Sequence, residues 1–141
     1  MGNRNLSDLH PTFNLIAFKV TNICKYIGLD VRVLDTLRTP TRQEELHADG
    51  KSKVKRGWHN FGLACDFGVF TRDGKYCGSE TPDNEYFKLG LIAKSLDCVW
   101  GGDWKFKDLG HIEWHPGFTF AQYMAYLKKE GKDPWHHSGQ Q

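Results

Sequence analysis

The fold is decided at residues 63–70, which read Leu-Ala-Cys-Asp-Phe-Gly-Val-Phe. The apolar residues Leu63, Cys65, Phe67 and Val69 alternate with Ala64, Asp66, Gly68 and Phe70. This period of two is typical of a β-strand. The same period places Asp66 on the face opposite Cys65. The predicted strand therefore presents one carboxylate between the small residues Ala64 and Gly68, while its other face is apolar.

Helices and two further strands are predicted on either side of this strand. A first helix, with a proline suited to its first turn and a glycine suited to its stop, has apolar residues at helical spacing: Phe13, Ile16, Val20, Ile23 and Ile27. A strand over Asp30–Thr36 follows. A helix over Arg42–Ala48, capped by Thr39, comes next. Another helix is predicted from Thr81 and Pro82 to about Leu96, with Phe87, Leu91 and Ile92 on its apolar face. The last two elements are a strand around 111–114 and a helix that is capped by Thr119 and ends before Gly131. This irregular mixture predicts an α+β fold in which a small antiparallel sheet is flanked by helices.

Composition bounds the class of protein. A chain of 141 residues with 39% hydrophobic content has the size of one domain with its own core. We predict a single domain over residues 1–131 and a polar tail over residues 132–141. A formal charge of +2 is too small to indicate a nucleic-acid binder. A local basic run within residues 51–56 is expected either to be a solvated loop or to attract an acidic polymer.

The chain also lacks the usual signals for membranes and secretion. No apolar run approaches membrane-spanning length, so we expect no membrane insertion. The first residues lack a positive segment followed by an apolar stretch and a cleavage site, so we expect synthesis in a cytoplasm without a signal peptide. The four cysteines form no C-x-x-C pair, which argues against a thiolate zinc site and favours reduced, mostly buried thiols.

Two histidines and one carboxylate form a candidate metal site: His59, Asp66 and His111. Zinc in a hydrolase is typically held by three such ligands, which leave a fourth position for a water whose pKa the metal lowers. Positions seven apart on an uninterrupted strand face opposite ways. The backbone must therefore bend between His59 and Asp66, and Gly62 is the expected bend. Among the other histidines, His115 is the strongest competitor as a ligand, because it lies only four residues after His111.

Three segments carry a resemblance to a known family. They are Gly57-Trp58-His59-Asn60-Phe61-Gly62-Leu63-Ala64-Cys65-Asp66-Phe67, Trp100-Gly101-Gly102-Asp103-Trp104 and Asp108-Leu109-Gly110-His111-Ile112-Glu113-Trp114. Together they resemble the pattern of the M15 metallopeptidases. That pattern is a histidine followed by a glycine three residues later and an aspartate seven residues later, and then, further along, an aspartate three residues before the last histidine. Within that family, the chain resembles the L-alanyl-D-glutamate endopeptidases that phages use as endolysins and bacteria use for wall remodelling. Residues 7–11 and 36–43 resemble the family too, so the similarity extends to about Tyr126.

The resemblance implies a fold, a cofactor and a set of roles. The implied fold is that of hedgehog and D-Ala-D-Ala peptidases, and the implied cofactor is Zn²⁺ held by His59, Asp66 and His111. Asp108 is implied to be the catalytic base, and Arg38 is implied to contact the substrate. The implied reaction is hydrolysis of a peptide bond in the stem peptides of peptidoglycan, above all L-Ala-D-Glu, by a monomer that reaches the wall after release.

The residues themselves agree with these roles and leave two points open. A carboxylate three residues before a ligand, as Asp108 is, can take a proton from the attacking water and return it to the leaving amine. Glu113 shares a strand face with His111 and is therefore the rival base, or else it orients that ligand. Arg38 offers a planar fork of donors to a substrate carboxylate, unless it forms a structural ion pair.

Three alternative functions stay open at the level of the sequence. M15 relatives include D-Ala-D-Ala carboxypeptidases and dipeptidases, which use the same metal set on a different bond. Non-haem iron oxygenases also use two histidines and a carboxylate, but commonly with one histidine and the carboxylate two residues apart. A non-catalytic, zinc-stabilised wall-binding module would not require a positioned base such as Asp108.

Two further features bear on the substrate. Many M15 members have a serine two residues before the first histidine, where this chain has Gly57, and the difference puts substrate preference in doubt. Four tryptophans are expected either to line a groove for the sugar-peptide polymer or to pack in the core; they are Trp58, Trp100, Trp104 and Trp114.

Overall fold

The computed structural model describes residues 3–52, 57–78 and 84–131 of the chain. Within these ranges the helices are α1 (Pro11–Tyr26), α2 (Pro40–Ala48), α3 (Asn84–Ser95) and α4 (Phe120–Glu130). The strands are β1 (Asp30–Asp35), β2 (Ala64–Phe70), β3 (Tyr76–Cys77), β4 (Val99–Trp100) and β5 (His111–Glu113). Single turns of 3₁₀-helix cover Leu6–Asp8, Trp58–Phe61 and Gly101–Asp103.

The strands form one antiparallel sheet in the order β1-β2-β5-β4, with β3 paired to the last two residues of β2. The predicted α+β fold with a small antiparallel sheet is thus confirmed. In the register of the central strand β2, Asp66 lies opposite His111 on one side and opposite Asp35 on the other. The sequence does not predict β3 and β4, because two residues are too few to show a period.

Helix α1 begins and ends as predicted, and part of its predicted apolar face is confirmed. It starts at Pro11 and stops before Gly28, which has a φ of +81°. Phe13 and Val20 are buried as predicted, and Ile16 packs partly buried against the core. Ile23 and Ile27, which were expected on the same face, are 38% and 51% exposed. Their places on the core face are taken by the small residues Ala17 and Cys24.

Helix α3 also differs from its predicted face. Of its three predicted residues, Ile92 packs partly buried against the core, but Phe87 and Leu91 are 53% and 51% exposed. The buried residues of α3 include Tyr86, Leu89 and Ala93. The cause is the contact at Gly90, where a Cβ would lie 2.3 Å from the Trp100 ring. Since that ring covers the glycine, Phe87 and Leu91 turn outward. The predicted start of this helix at residues 81 and 82 lies outside the described residues.

The remaining helix boundaries follow their capping residues. The Thr39 side chain accepts a hydrogen bond from the Arg42 N–H at the start of α2, and the Thr119 side chain accepts one from the Gln122 N–H at the start of α4. Gly131 ends α4 with a φ of +70°. The predicted polar tail over 132–141 and residues 53–56 of the basic run lie outside the described residues.

Two expectations about composition can be compared with the described part of the chain. All four cysteines are free, and Cys24, Cys65 and Cys98 are buried, as predicted. In the same ranges, no helix combines the length and the apolar content needed to span a membrane.

The chain bends at Gly62, as predicted. This residue ends the 3₁₀ turn Trp58–Phe61 with a φ of +68°, in the left-handed region that favours glycine. Its carbonyl accepts a hydrogen bond from the His10 N–H at 2.9 Å, and a Cβ on Gly62 would lie 2.8 Å from that nitrogen. The N-terminal segment therefore leaves no room for a side chain at the bend.

We expect Gly62→Ala to destabilise the protein more than Gly50→Ala. Both glycines have left-handed φ values, +68° and +74°, so both alanines carry a backbone strain of about 1–2 kcal/mol. A Cβ on Gly50 has nothing within 4 Å, whereas a Cβ on Gly62 meets backbone atoms. The free energy of unfolding, measured by urea denaturation, should therefore fall by about 1 kcal/mol more for Gly62→Ala. Equal losses would contradict the close approach at Gly62.

Candidate metal centre

The three predicted ligands lie together at one end of β2. His59 stands on the 3₁₀ turn before this strand, Asp66 lies within the strand, and His111 begins β5. One potential ligand atom from each residue lies within 4.8 Å of those of the other two. Two features produce this convergence: the bend at Gly62 and the register that pairs Asp66 with His111.

The His59 ring has one nitrogen satisfied and one left open. Its Nδ1 lies 2.7 Å from the Thr36 carbonyl oxygen, so the proton is on Nδ1 and is donated to that oxygen. The other ring nitrogen, Nε2, faces Asp66. It is buried and has no hydrogen-bond partner within the described ranges, although Asp66 Oδ1 lies 3.2 Å away. A nitrogen and a carboxylate oxygen this close need a positive charge between them, which a proton or a metal ion supplies.

The three ligand atoms fit a metal ion. Asp66 Oδ1, which faces His59 Nε2 at 3.2 Å, is also 2.9 Å from His111 Nδ1. Tetrahedral zinc binds nitrogen and oxygen at roughly 2.0–2.1 Å, which separates its ligands by about 3.3 Å. The observed separations are close to that value. A borderline-soft divalent cation is also the kind of ion that two imidazoles and one carboxylate select.

Glu113 and His115 lie behind His111. Glu113 Oε1 is 2.7 Å from His111 Nε2, and Glu113 Oε2 is 2.5 Å from His115 Nε2. A proton on His111 Nε2, donated to Glu113, leaves Nδ1 of that ring as the atom facing the metal position. Both oxygens of Glu113 are engaged, so the geometry favours its orienting role over the role of base. His115, the competing ligand, is directed at Glu113 and not at the metal position.

Charge dominates this buried cluster. Burial alone would raise the pKa of Asp66, but the charge of His59 and hydrogen bonds from His111 and His59 hold it well below its usual value. Burial would lower the pKa of His111, but hydrogen bonds to Asp66 and Glu113 raise it to about 10. Hydrogen bonds from His111 and His115 outweigh burial and lower the pKa of Glu113 to about 2. Without a metal ion, His111 is therefore an imidazolium between two carboxylates.

Asp108, the predicted base, lies beside the ligand cluster. Its Oδ2 is 3.9 Å from His111 Nδ1, and its side chain is 57% exposed. Its backbone is held on both sides, since its N–H donates to the Gly101 carbonyl at 3.0 Å and its carbonyl accepts from the His111 N–H at 3.1 Å. Partial burial and then the charge of Asp66 raise the pKa of Asp108. The structure thus places a carboxylate next to the ligand set and open to the cleft.

Arg38 is held by three neighbours. Its Nε donates to Asp35 Oδ2 at 3.0 Å, its Nη2 also contacts that oxygen, and its Nη1 donates to Gln43 Oε1 at 2.8 Å. Nη2 lies 3.5 Å from Asp66 Oδ2, and the Arg38 side chain is only 11% exposed. The structural ion pair considered for Arg38 is therefore present, and its contact with a substrate stays a prediction.

Sequence reasoning did not single out three residues that support the site. They are Thr36, which accepts from the His59 ring, and Asp35 and Gln43, which hold Arg38. Gln43 is 1% exposed, and its Nε2 donates to Ser52 Oγ at 2.8 Å. Their roles depend on the pairing of β1 with β2 and on the packing of α2, neither of which has a local signal. The one local sign was an aspartate ending a β-branched strand.

The ligand cluster lies in an open cleft of about 1050 Å³. The Trp104 ring lies 5.0 Å from the His111 ring at the edge of this cleft and is 36% exposed. Trp58, Trp100 and Trp114 are all 9% exposed or less. Of the four tryptophans considered for a groove, Trp104 is thus the one open to solvent. The other three pack in the core, although Trp58 also borders the cleft.

Comparison with known proteins agrees with this geometry. A model of peptidase family M15, described as D-alanyl-D-alanine carboxypeptidase, matches residues 50–114. The peptidoglycan L-alanyl-D-glutamate endopeptidase CwlK of Bacillus subtilis is 35% identical over 126 residues, which cover 78% of this chain and 75% of CwlK. The chain belongs to the M15 metallopeptidase family. It is accordingly an enzyme, a peptidase that depends on a metal ion.

Two further M15 relatives extend the comparison. The L-alanyl-D-glutamate peptidase of a Listeria phage is 30% identical over 112 residues, which cover 79% of this chain but only 40% of the phage protein. The crystal structure of the Serratia marcescens L-Ala D-Glu endopeptidase ChiX superimposes with a TM-score of 0.64 at 25% identity. That match covers 87% of this chain and 92% of the ChiX chain, and it confirms the predicted fold.

We expect the stability of the metal-free M15 protein to depend on pH through Glu113 and His111. Glu113 has a pKa lowered from 4.5 to about 2, so its contribution is present above pH 4.5 and is lost as the pH falls towards 2. His111 has a pKa raised from 6.5 to about 10, so its contribution is full below pH 6.5 and is lost as the pH rises towards 10. The melting temperature, measured by calorimetry with a chelator, should therefore be highest between pH 4.5 and 6.5.

The matched control for this measurement is Glu113→Gln, which cannot be ionised. Its melting temperature should fall less below pH 4.5, because residue 113 no longer titrates. The fall above pH 6.5 should also be smaller, because His111 loses one of its two carboxylate partners. An unchanged profile in Glu113→Gln would contradict the assigned coupling.

Proposed function

We propose that this protein is a zinc-dependent endopeptidase that hydrolyses the L-Ala-D-Glu bond in the stem peptides of bacterial peptidoglycan. One observation carries the proposal: the buried Nε2 of His59, which has no hydrogen-bond partner among the described residues, converges with Asp66 Oδ1 and His111 Nδ1 in an open cleft. The named activities of CwlK, ChiX and the phage peptidase support the choice of bond.

Zinc is the metal that we propose for the site. His59 Nε2, Asp66 Oδ1 and His111 Nδ1 would hold it, and the two-histidine, one-carboxylate set with an open fourth position is typical of catalytic zinc. When bound, the ion would supply Lewis-acid chemistry by polarising the scissile carbonyl and lowering the pKa of a water. The same donors also suit iron, but membership of the M15 family favours the peptidase over the oxygenase.

Asp108 is proposed as the general base. Its carboxylate lies outside the ligand set, 3.9 Å from His111 Nδ1, and open to the cleft. It can accept a proton from the attacking water and then donate it to the nitrogen of the leaving amine. A raised pKa brings a carboxylate closer to working pH, which favours the second of these transfers. Glu113 has both oxygens occupied by histidines and is less suited to this cycle.

Arg38 is proposed to bind the substrate while it also orients Asp66. Its guanidinium lies on the wall of the cleft and keeps Nη2 3.5 Å from Asp66 Oδ2. The ion pair with Asp35 fixes the plane of the guanidinium, so an N–H group that is left over can donate to a substrate carboxylate or carbonyl with little further loss of entropy.

Stem peptides suit the remainder of the cleft. Basic side chains line both of its walls: Arg42 and Lys51 on one side, and Lys105 and Lys107 on the other. These cations complement a substrate rich in free carboxylates. Trp104 adds an exposed ring for an apolar or sugar portion of the substrate.

The rest of the proposal concerns organisation and place of action. We propose that residues 1–131 act as one catalytic domain and as a monomer, with residues 132–141 as a polar tail. The site of action is the cell wall, reached after release from the cell in which the protein is made. Insertion into the membrane and binding of nucleic acid are not part of this function.

We predict that zinc-loaded protein releases peptides from purified peptidoglycan and that a chelator abolishes the release. Cleavage at L-Ala-D-Glu gives fragments with a new D-Glu amino terminus, whereas a D-Ala-D-Ala carboxypeptidase releases free D-alanine. Mass spectrometry of the products separates the two. A wall left intact by zinc-loaded protein would instead favour the non-catalytic binding module.

Asp108→Asn should reduce kcat by about 10²–10⁴-fold with little change in zinc content, because the carboxylate is removed and the ligands are kept. The matched control is Asp103→Asn, an exposed residue whose carboxylate pairs with Lys94 at 2.9 Å outside the cleft. Rates are measured on a defined stem peptide, with the metal content determined for each protein. Full activity in a folded, zinc-loaded Asp108→Asn variant would overturn the assignment of the base.

A further inference from the structure

A series of contacting side chains runs from His111 to Trp58, the residue next to His59. Glu113 bridges His111 Nε2 and His115 Nε2 at 2.7 Å and 2.5 Å. The His115 ring stacks on the Trp58 ring with a centroid distance of 4.2 Å and an interplanar angle of 11°. Trp58 directly precedes His59 in the sequence. The contacts of Glu113, His115 and Trp58 therefore connect the surroundings of two proposed ligands, His111 and His59.

We infer that His115 is a positioning residue of the metal site: it fixes Glu113, and through Glu113 it fixes the ring orientation and tautomer of His111. The inference rests on the proposed metal site and goes beyond it, because His115 touches neither the ligand atoms nor the space between them.

The hydrogen bonds of His115 define its role as a donor. Nε2 faces a carboxylate oxygen of Glu113, and Nδ1 faces the Phe118 carbonyl oxygen at 3.2 Å. A carboxylate oxygen only accepts, so Nε2 is the donor in the contact with Glu113. The two side chains of this pair are only 17% and 10% exposed.

The stack on Trp58 fixes the plane in which His115 donates. The Trp58 ring is itself packed edge-on against Phe120 at 5.1 Å and tilted against Tyr123 at 5.2 Å, so α4 backs the stack. A ring held on one face by Trp58 and at one nitrogen by Phe118 has little freedom to rotate. Its Nε2–H consequently points at Glu113 Oε2.

The consequence for His111 follows from the two oxygens of Glu113. Oε2 is occupied by His115, so Oε1 is the oxygen available to accept from His111 Nε2. Donation from Nε2 leaves the lone pair of His111 on Nδ1, the atom nearest Asp66. If His115 were lost, Glu113 would be a buried carboxylate with half of its partners, and it would take up a proton or rotate away.

Two substitutions separate the donor from the ring. His115→Phe keeps an aromatic ring over Trp58 but has no donor, whereas His115→Gln restores an N–H towards Glu113 without the ring. Zinc affinity, measured by competition with a chromophoric chelator, should fall by roughly tenfold in His115→Phe, as for other residues that orient metal ligands. His115→Gln should stay close to wild type. The matched histidine control is His47→Phe in α2, which lies outside the cleft and should not change the affinity.

A merely structural role for His115 would give a different result. In that case both substitutions would lower the melting temperature of the metal-free protein and leave the zinc affinity of the folded fraction unchanged, and the inference would be overturned. An affinity loss of the same size in His115→Gln and His115→Phe would overturn it too, because the donor would then not matter. The visible absorption of the cobalt-loaded variants provides a second readout, with the spectrum changed in His115→Phe and retained in His115→Gln.

The wild-type protein tests the inference even if the variants do not fold. In the zinc-loaded protein, ¹⁵N–¹H spectra of the histidine rings should show His111 protonated at Nε2 and metal-bound at Nδ1, and the reverse assignment would overturn the inference. Failure of the proposed function would look different, since the wild type itself would bind no zinc and both proposals would fall. Tight zinc binding by the wild type with unchanged binding by His115→Phe removes the role of His115 alone.

Discussion

The approach of His59 Nε2 to Asp66 Oδ1 is the constraint on which the rest of the site depends. The buried nitrogen and the carboxylate oxygen lie 3.2 Å apart and need a positive charge between them, which a proton or a metal ion supplies. The tautomer that creates this situation is set by the Thr36 carbonyl, and Thr36 is held in turn by its own N–H and hydroxyl, which both donate to the Asn3 carbonyl. The segment before α1 thus contributes to the ligand set through two successive hydrogen bonds.

The charges around Asp66 are arranged so that its immediate neighbours are neutralised in pairs. On the β1 side Asp35 pairs with Arg38, and on the β5 side Glu113 pairs with His115. Each pair leaves Asp66 as the carboxylate that faces His59 Nε2 and His111 Nδ1. A divalent cation would therefore enter a site whose flanking charges are already balanced, which limits the reorganisation that binding requires.

Much of the fold and the ligand set could be predicted from the sequence because their signals are local. The alternation around Asp66, the Thr-Pro start of α2 and the bend at Gly62 depend on residues that are neighbours in the chain. The exposed face of α3 could not be predicted, because it depends on how the Trp100 ring of the next strand, β4, packs against Gly90. For the same reason the partners of Arg38 were missed, since the register of β1 against β2 brings Asp35 beside Asp66.

The pleat of β2 also bears on which metals the site accepts. Cys65 is fully buried on the core face, one residue before the proposed carboxylate ligand, and burial raises the pKa of its thiol well above the usual value. A slip of one residue between β2 and β5 would exchange the two side chains and replace a hard oxygen donor with a soft sulfur donor. Thiolate ligands favour ions such as Cu(I). The pairing of Asp66 with His111 therefore restricts the donors in the cleft to nitrogen and oxygen, a form of chemical selectivity that is built into strand geometry.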